Sequence, residues 1–167
     1  RDEVVTLGIF DLDGLKDIND AFGQRMGDDL LIAFAARLKD ALPPRAFCGR
    51  FDGDEFAVVM MTSDMDAAGA TMAALAGALS RPFWIDDQVV QVGATAGLAH
   101  APGDAQSRDE LMRRADLALR AAKRKQRGGV MPFVPARDPS LIYISAPTRL
   151  LSISYSVFCF YNKKLVH

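Results

Sequence analysis

The chain reads as an α/β (α+β) domain, with helices packed on a mixed, largely antiparallel central sheet of about five strands. Three observations lead there. Apolar runs of strand length alternate with stretches of helical period. Two pairs of such runs are joined by tight Asp-containing turns, as hairpins are. Each helical stretch carries an apolar face that has to be buried on a second layer. The element order is β-α-α-β-β-α-β-β-α-β.

Residues 4–11 (VVTLGIFD) form a short apolar run that suits a buried strand ending in acids. Residues 15–22 read as a short helix closed by Gly23. Asp28 or Asp29 is the expected cap of the next helix, whose Leu30, Leu31, Phe34 and Leu38 follow helical spacing. Pro43-Pro44 ends it. Two strands follow, from Ala46 and from Phe56, joined at Asp52-Gly53. A two-residue type I′ loop needs positive φ and favours Asp-Gly. Residues 64–79 are Ala- and Met-rich with helical period, capped by Ser63 or Asp64. Phe83-Trp84-Ile85, a turn at Asp86-Asp87 and a strand over 89–99 make the second hairpin. Pro102-Gly103-Asp104 is a loop. Ser107 caps a last helix with Leu111, Ala115, Ala118 and Ala122 on one face, stopped by Gly128-Gly129. Residues 130–134 suit a final strand.

With 167 residues, half of them apolar and a quarter charged, one domain with a sizeable core is expected. The net charge of -1 gives no electrostatic footprint for nucleic acid. Cys48 and Cys159 lack metal-ligand spacing. That usage suits a reducing cytoplasm, the expected location. No apolar run approaches the ~18 residues of a membrane span. The chain opens Arg1-Asp2 without Met and enters a strand almost at once, as a fragment of a longer protein would.

The composition breaks at Pro139. Residues 139–167 contain no Asp, Glu or Gly, and they hold all three tyrosines of the chain. The expected division is therefore a domain over 1–135 and an atypical tail over 136–167. A vector-derived tail explains the break; a genuine linker or strand segment is the alternative.

Two acid clusters carry the chemistry. Asp11 and Asp13 close the first strand, and Asp52, Asp54 and Glu55 crowd the first hairpin. Carboxylates at a hairpin mouth repel unless a cation neutralises them. Mg²⁺ suits oxygen ligands from one or two carboxylates plus substrate phosphates. Two elements of one sheet can bring Asp11 and Asp54 together around such an ion. The alternative is a solvated turn. The basic end of the last helix (Arg120, Lys123, Arg124, Lys125, Arg127) offers cations for phosphate oxygens, although the helix dipole alone also favours bases there.

Taken in order, these segments resemble the GGDEF family, the diguanylate cyclase domains of bacterial cyclic di-GMP signalling. Asp11-Leu12-Asp13-Gly14-Leu15-Lys16-Asp17-Ile18-Asn19-Asp20 is similar to the family's D-x-D-x-F-K-x-x-N-D segment. Gly23-Gln24-Arg25-Met26-Gly27-Asp28 resembles G-H-x-x-G-D, and Arg50-Phe51-Asp52-Gly53-Asp54-Glu55-Phe56 resembles R-[YF]-G-G-[DE]-E-F. Residues 94–99 (ATAGLA) are similar to the S-I-G-I-A strand. Ala115-Asp116-Leu117-Ala118-Leu119 with Ala122-Lys123 resembles A-D-x-A-M-Y-x-A-K. The likeness runs over roughly residues 4–135.

The resemblance implies a nucleotide-cyclase-like fold, Mg²⁺ or Mn²⁺ as cofactor, GTP as ligand and a homodimer as the working form. By position it implies Asp11 and Asp54 as metal ligands, with the Leu12 carbonyl assisting. Glu55 would join metal binding and activate the ribose 3′-hydroxyl. Asp54 and Glu55 are thus the implied catalytic pair. Asn19 and Asp28 would hold guanine, and Lys16, Lys123 and Arg127 would lie near the triphosphate.

The departures matter. Asp52 stands where the family has its first motif glycine, and a carboxylate there adds bulk and charge beside a triphosphate. Lesser departures are Leu15 for Phe, Gln24 for His, Arg120 for Tyr, Gln126 for Gly and Gly128 for Asn. The R-x-x-D product-inhibition motif would fall on Pro43, Pro44, Arg45 and Ala46, so it is missing. A degenerate, GTP-binding regulatory domain is the expectation, with an active cyclase as the alternative. Phe133-Val134-Pro135-Ala136-Arg137 resembles the start of a linker to an EAL phosphodiesterase domain.

Overall fold

A computed structural model describes residues 3–135. Expectations for residues 136–167, Cys159 among them, lie outside the described residues.

The central sheet has five strands in the order β2-β3-β1-β6-β7. The strands are β1 (Val4–Asp13), β2 (Ala46–Asp52), β3 (Glu55–Thr62), β6 (Gly93–Ala101) and β7 (Val130–Pro132). All neighbours pair antiparallel except β6 and β7. A separate two-stranded ribbon joins β4 (Phe83–Ile85) to β5 (Gln88–Val90). The helices are α1 (Leu15–Phe22), α2 (Gln24–Ala41), α3 (Met65–Leu79) and α4 (Arg108–Lys125).

Side chains alternate across a strand, so each face of β1 has its own partners. Phe10 and Leu12 point into the larger core, with Phe34, Leu38, Met72 and Leu79 of α2 and α3. Leu7 and Ile9 point to the other face, where α4 supplies Leu111, Ala115 and Leu119. Gly97 sets the depth of that second layer. A Cβ there would lie 2.1 Å from the Leu119 amide nitrogen, so α4 rests directly on the β6 backbone. Asp64 caps α3 as expected, accepting from the Asp66 and Ala67 amides. Ser107 caps α4 by accepting from the Glu110 amide at 3.2 Å. Among the described residues no helix is long and apolar enough to cross a membrane.

Four local expectations are corrected. Strand β1 continues to Asp13, because its last residues still pair with β6 through Asp13↔Gly93. Helix α2 starts at Gln24, not at Asp28 or Asp29. Gly23, at φ 89°, turns the chain from α1 straight into α2 and leaves no loop to cap. The strand expected over 89–99 is divided: Gln91 and Val92 carry the chain from the ribbon to the main sheet. A continuous apolar run carries no mark of such a change of partner.

The fourth correction concerns the first hairpin. Its turn is Gly53-Asp54, one residue later than expected, with Asp52 paired to Glu55. A register shift between Arg50 and Asp52 absorbs the extra residue. Neither turn residue has positive φ, so the loop is not type I′. The positive-φ pair occurs in the other hairpin, at Asp86 (47°) and Asp87 (63°).

Candidate functional site

The sheet register assembles the first part of the site. Asp52 pairs with Glu55, Glu55 pairs with Asp11, and Asp11 pairs with Thr95. Directly paired residues project from the same face, so three carboxylates and a hydroxyl form one row across four strands. Their face is the one α4 covers. The row is at the end of the sheet, just beyond the apolar row of Phe10 and Phe56.

Asp11 is the buried member, its side chain 6 % exposed. Its Oδ2 is ion-paired with Lys123 Nζ from the last turn of α4. Its Oδ1 is buried and has no hydrogen-bond partner. A charged carboxylate oxygen taken from water without a partner is costly and calls for a cation or donor. Asp54 is brought close through the backbone: the Leu12 amide donates to the Asp54 carbonyl at 3.0 Å. The Leu12 side chain is in the larger core.

A cleft of about 940 Å³ opens beside these groups. Asp11, Leu12, Lys16, Asp54, Lys123 and Arg127 line it. The structure therefore brings together most of the residues assigned to metal and triphosphate. Glu55 and Asp52 are in the row of acids but not among the residues lining the cleft. Asp52 is exposed and Glu55 half-buried.

Asn19 and Asp28 form a second locus. Asn19 on α1 lies against Gly27 on α2, next in sequence to Asp28. A Cβ on Gly27 would meet Asn19 Oδ1 at 1.8 Å, so only glycine leaves room for that side chain. Asn19 Oδ1 is buried without a partner, and Asp28 is exposed. Neither residue lines the cleft. The helix pair thus places Asn19 beside the segment that carries Asp28, apart from the residues that line the cleft.

Asp13 stood in the first acid cluster of the sequence and Thr95 in the 94–99 strand, but neither had a role of its own there. Thr95 Oγ1 donates to Asp13 Oδ2 at 2.5 Å and accepts from the Gly128 amide at 2.9 Å. Arg127 donates to Asp13 Oδ1 at 3.2 Å. These bonds tie the chain after α4 to the end of β1 and hold Arg127 at the rim of the cleft. The second acid of Asp-Leu-Asp was a visible signal; the Thr95 contact is 82 residues distant and left none in the sequence.

Among the described residues, no three acid, histidine or cysteine side chains converge as a closed metal cluster. The donor set of Asp11 and Asp54 instead fits an ion that takes one or two carboxylates and completes its shell with water and phosphate, which is how Mg²⁺ is usually held. The orphaned Asp11 Oδ1 supports that fit.

The family model for the diguanylate cyclase GGDEF domain matches residues 1–129. MucR of Pseudomonas aeruginosa, a bifunctional diguanylate cyclase/cyclic di-GMP phosphodiesterase, is 40% identical over 74% of this chain and 18% of its own length. Among solved structures, the GGDEF domain of TpbB (YfiN) from Pseudomonas aeruginosa superposes with a TM-score of 0.77. It has 29% identity, covering 80% of this chain and 84% of that one. A sensory box/GGDEF family protein from Caulobacter crescentus gives a TM-score of 0.70 at 36% identity, covering 74% of this chain and 81% of that one. The chain spans less than a fifth of the curated relative's length.

Proposed function

From the premise that this chain belongs to the diguanylate cyclase GGDEF domain family, and so to cyclic di-GMP signalling, we propose that it is a GTP-binding regulatory domain with little or no cyclase activity of its own. The observation that carries this reading is Asp52 directly opposite Glu55. The groups for binding are kept, and an extra negative charge stands beside them.

In this reading Asp11 and Asp54 hold Mg²⁺ or Mn²⁺, with the Leu12 carbonyl assisting and Glu55 contributing to the same ion. Such an ion supplies charge neutralisation at phosphate and a more acidic 3′-hydroxyl. Lys16, Lys123 and Arg127 neutralise the triphosphate from the walls of the cleft. Asn19 and Asp28 read guanine. A carboxylate accepts from both N1–H and the exocyclic amine, donors that adenine does not present in that arrangement. Glu55 and Asp54 would be the catalytic pair.

Asp52 is what sets binding apart from turnover. Like charges ~4 Å apart at an effective dielectric of ~20 repel by about 4 kcal/mol. Acting on the transition state, that is on the order of a thousandfold in rate. The domain is assigned to the cytoplasm, where GTP is found, and its partner within a longer chain to an EAL phosphodiesterase domain. The bifunctional relative has that pairing of activities in one protein. GTP condensation needs two half-sites, so homodimerisation would accompany any turnover.

The second reading is an active cyclase. It is favoured by Asp52 being exposed and outside the residues that line the cleft. Chromatography of the products of Mg²⁺-GTP incubation, beside calorimetric GTP titration, separates the two. Weak GTP binding without cyclic di-GMP supports the regulatory domain. Robust synthesis by the unmodified chain establishes the cyclase, and absence of GTP binding removes both.

A further inference from the structure

We propose that Lys123 is an internal counter-ion of Asp11 that a divalent cation has to displace, so that the site takes up such a cation together with a polyphosphate rather than ahead of it. The polyphosphate half rests on the GTP-binding reading above; the displacement half does not.

The pair is built into the fold. Asp11 belongs to β1, the central strand of the sheet, and its side chain is almost wholly buried. Lys123 is one turn beyond Leu119, the residue that seats α4 on Gly97. The ammonium is therefore delivered to Asp11 by a helix that cannot retreat without leaving the sheet. Asp11 is left with one oxygen held by Lys123 and one oxygen orphaned in a water-excluded position. The carboxylate as a whole can be neutralised by either of two cations, the ammonium already on Oδ2 or a metal ion at Oδ1. An ammonium and a doubly charged ion on the same carboxylate repel with twice the energy of two unit charges at the same distance, which disfavours sharing.

Lys123 has another place to go. Its side chain is 28 % exposed and lines the cleft together with Lys16 and Arg127. A polyphosphate there gives the ammonium new anionic oxygens and frees Asp11 for the metal. Coupling of this kind is reciprocal: whatever factor polyphosphate contributes to metal affinity, metal contributes to polyphosphate affinity.

The test is Mn²⁺ binding to the full chain without nucleotide, read from the electron paramagnetic resonance signal of free Mn²⁺. Lys123→Met is expected to tighten Mn²⁺ binding by roughly tenfold or more, within the usual range of site-to-site coupling. Lys123→Arg keeps the charge and is expected to bind Mn²⁺ as weakly as the unmodified chain. Asp11→Asn is expected to lose the binding in every background. A folded Lys123→Met chain with unchanged or weaker Mn²⁺ affinity overturns the proposal. Should that variant not fold, nitrogen-15 NMR of lysine side chains in the unmodified chain decides. The Lys123 signal, assigned by its loss in Lys123→Arg, is expected to shift as Mg²⁺ saturates the site. Saturation with an unmoved signal overturns the proposal. None of these readouts needs GTP binding or turnover, so a failed GTP titration and a failed displacement are told apart.

Discussion

Asp52 is the direct cross-strand partner of Glu55 at the mouth of the β2–β3 hairpin. Like charges in directly opposed positions are destabilising, and Glu55 is itself opposite Asp11. Replacing Asp52 by Gly is therefore expected to tighten Mg²⁺-GTP binding in calorimetry. If the chain dimerises, turnover is expected to rise by up to about a thousandfold, the size of the repulsion removed. Unchanged affinity in the variant would show that this carboxylate does not act on the nucleotide.

Asp28→Ala is expected to erase any preference for GTP over ATP. Asp28 is exposed on the first turns of α2, one residue from the glycine that lies against Asn19. Loss of its paired acceptors is worth roughly 1–3 kcal/mol of discrimination. Parallel titrations with GTP and ATP measure it, and retained preference in the variant would move guanine recognition elsewhere.

Two glycine substitutions should separate stability from binding. Gly97→Ala puts a methyl group into the α4 backbone and is expected to cost about 1–3 kcal/mol or more by overpacking, seen as a lower denaturation midpoint. Gly27→Ala meets only the end of the Asn19 side chain, which can rotate away. It is expected to weaken nucleotide binding with a smaller loss of stability. The reverse ranking would contradict the assigned packing.

Asp13→Asn tests the clamp on Arg127. The pair is half open to water, with Arg127 64 % exposed, so its loss should lower stability by less than ~1 kcal/mol. GTP affinity is expected to fall by a similar factor in Asp13→Asn and in Arg127→Met. An effect of the second without the first would mean that Arg127 needs no anchor.

Burial raises the Cys48 thiol pKa, partly offset by Lys39. A raised pKa means less thiolate at neutral pH, hence slow alkylation. In a Cys159→Ser background, iodoacetamide labelling is expected to be slower than for a free thiol at pH 7 and to accelerate towards alkaline pH. Labelling at the free-thiol rate would place Cys48 outside the β2 packing seen here.

Much of the fold was legible because its signals are local. The caps Asp64 and Ser107 each satisfy amides two or three residues away, and Pro43 ends α2 by acting on Leu42, its immediate neighbour. Asp11 and Asp54, which line the cleft, were singled out for the same reason, since both lie in short segments with recognisable spacing. The shifted hairpin turn shows the limit. Asp52-Gly53 has strong local preference for the turn, but pairing of β3 with both β1 and β2 fixed the register and moved the turn to Gly53-Asp54.

The sequence by itself determined which acids and bases exist, the period of each element and the order in which the family's segments occur. Only the tertiary structure decided that Asp52, Glu55, Asp11 and Thr95 share one row, that Lys123 meets Asp11, and that Asp13 anchors Arg127. The reason is physical. Turns and caps are settled by energies between near neighbours. A cross-strand register or a helix seat on Gly97 is settled by the summed packing of segments far apart in the chain.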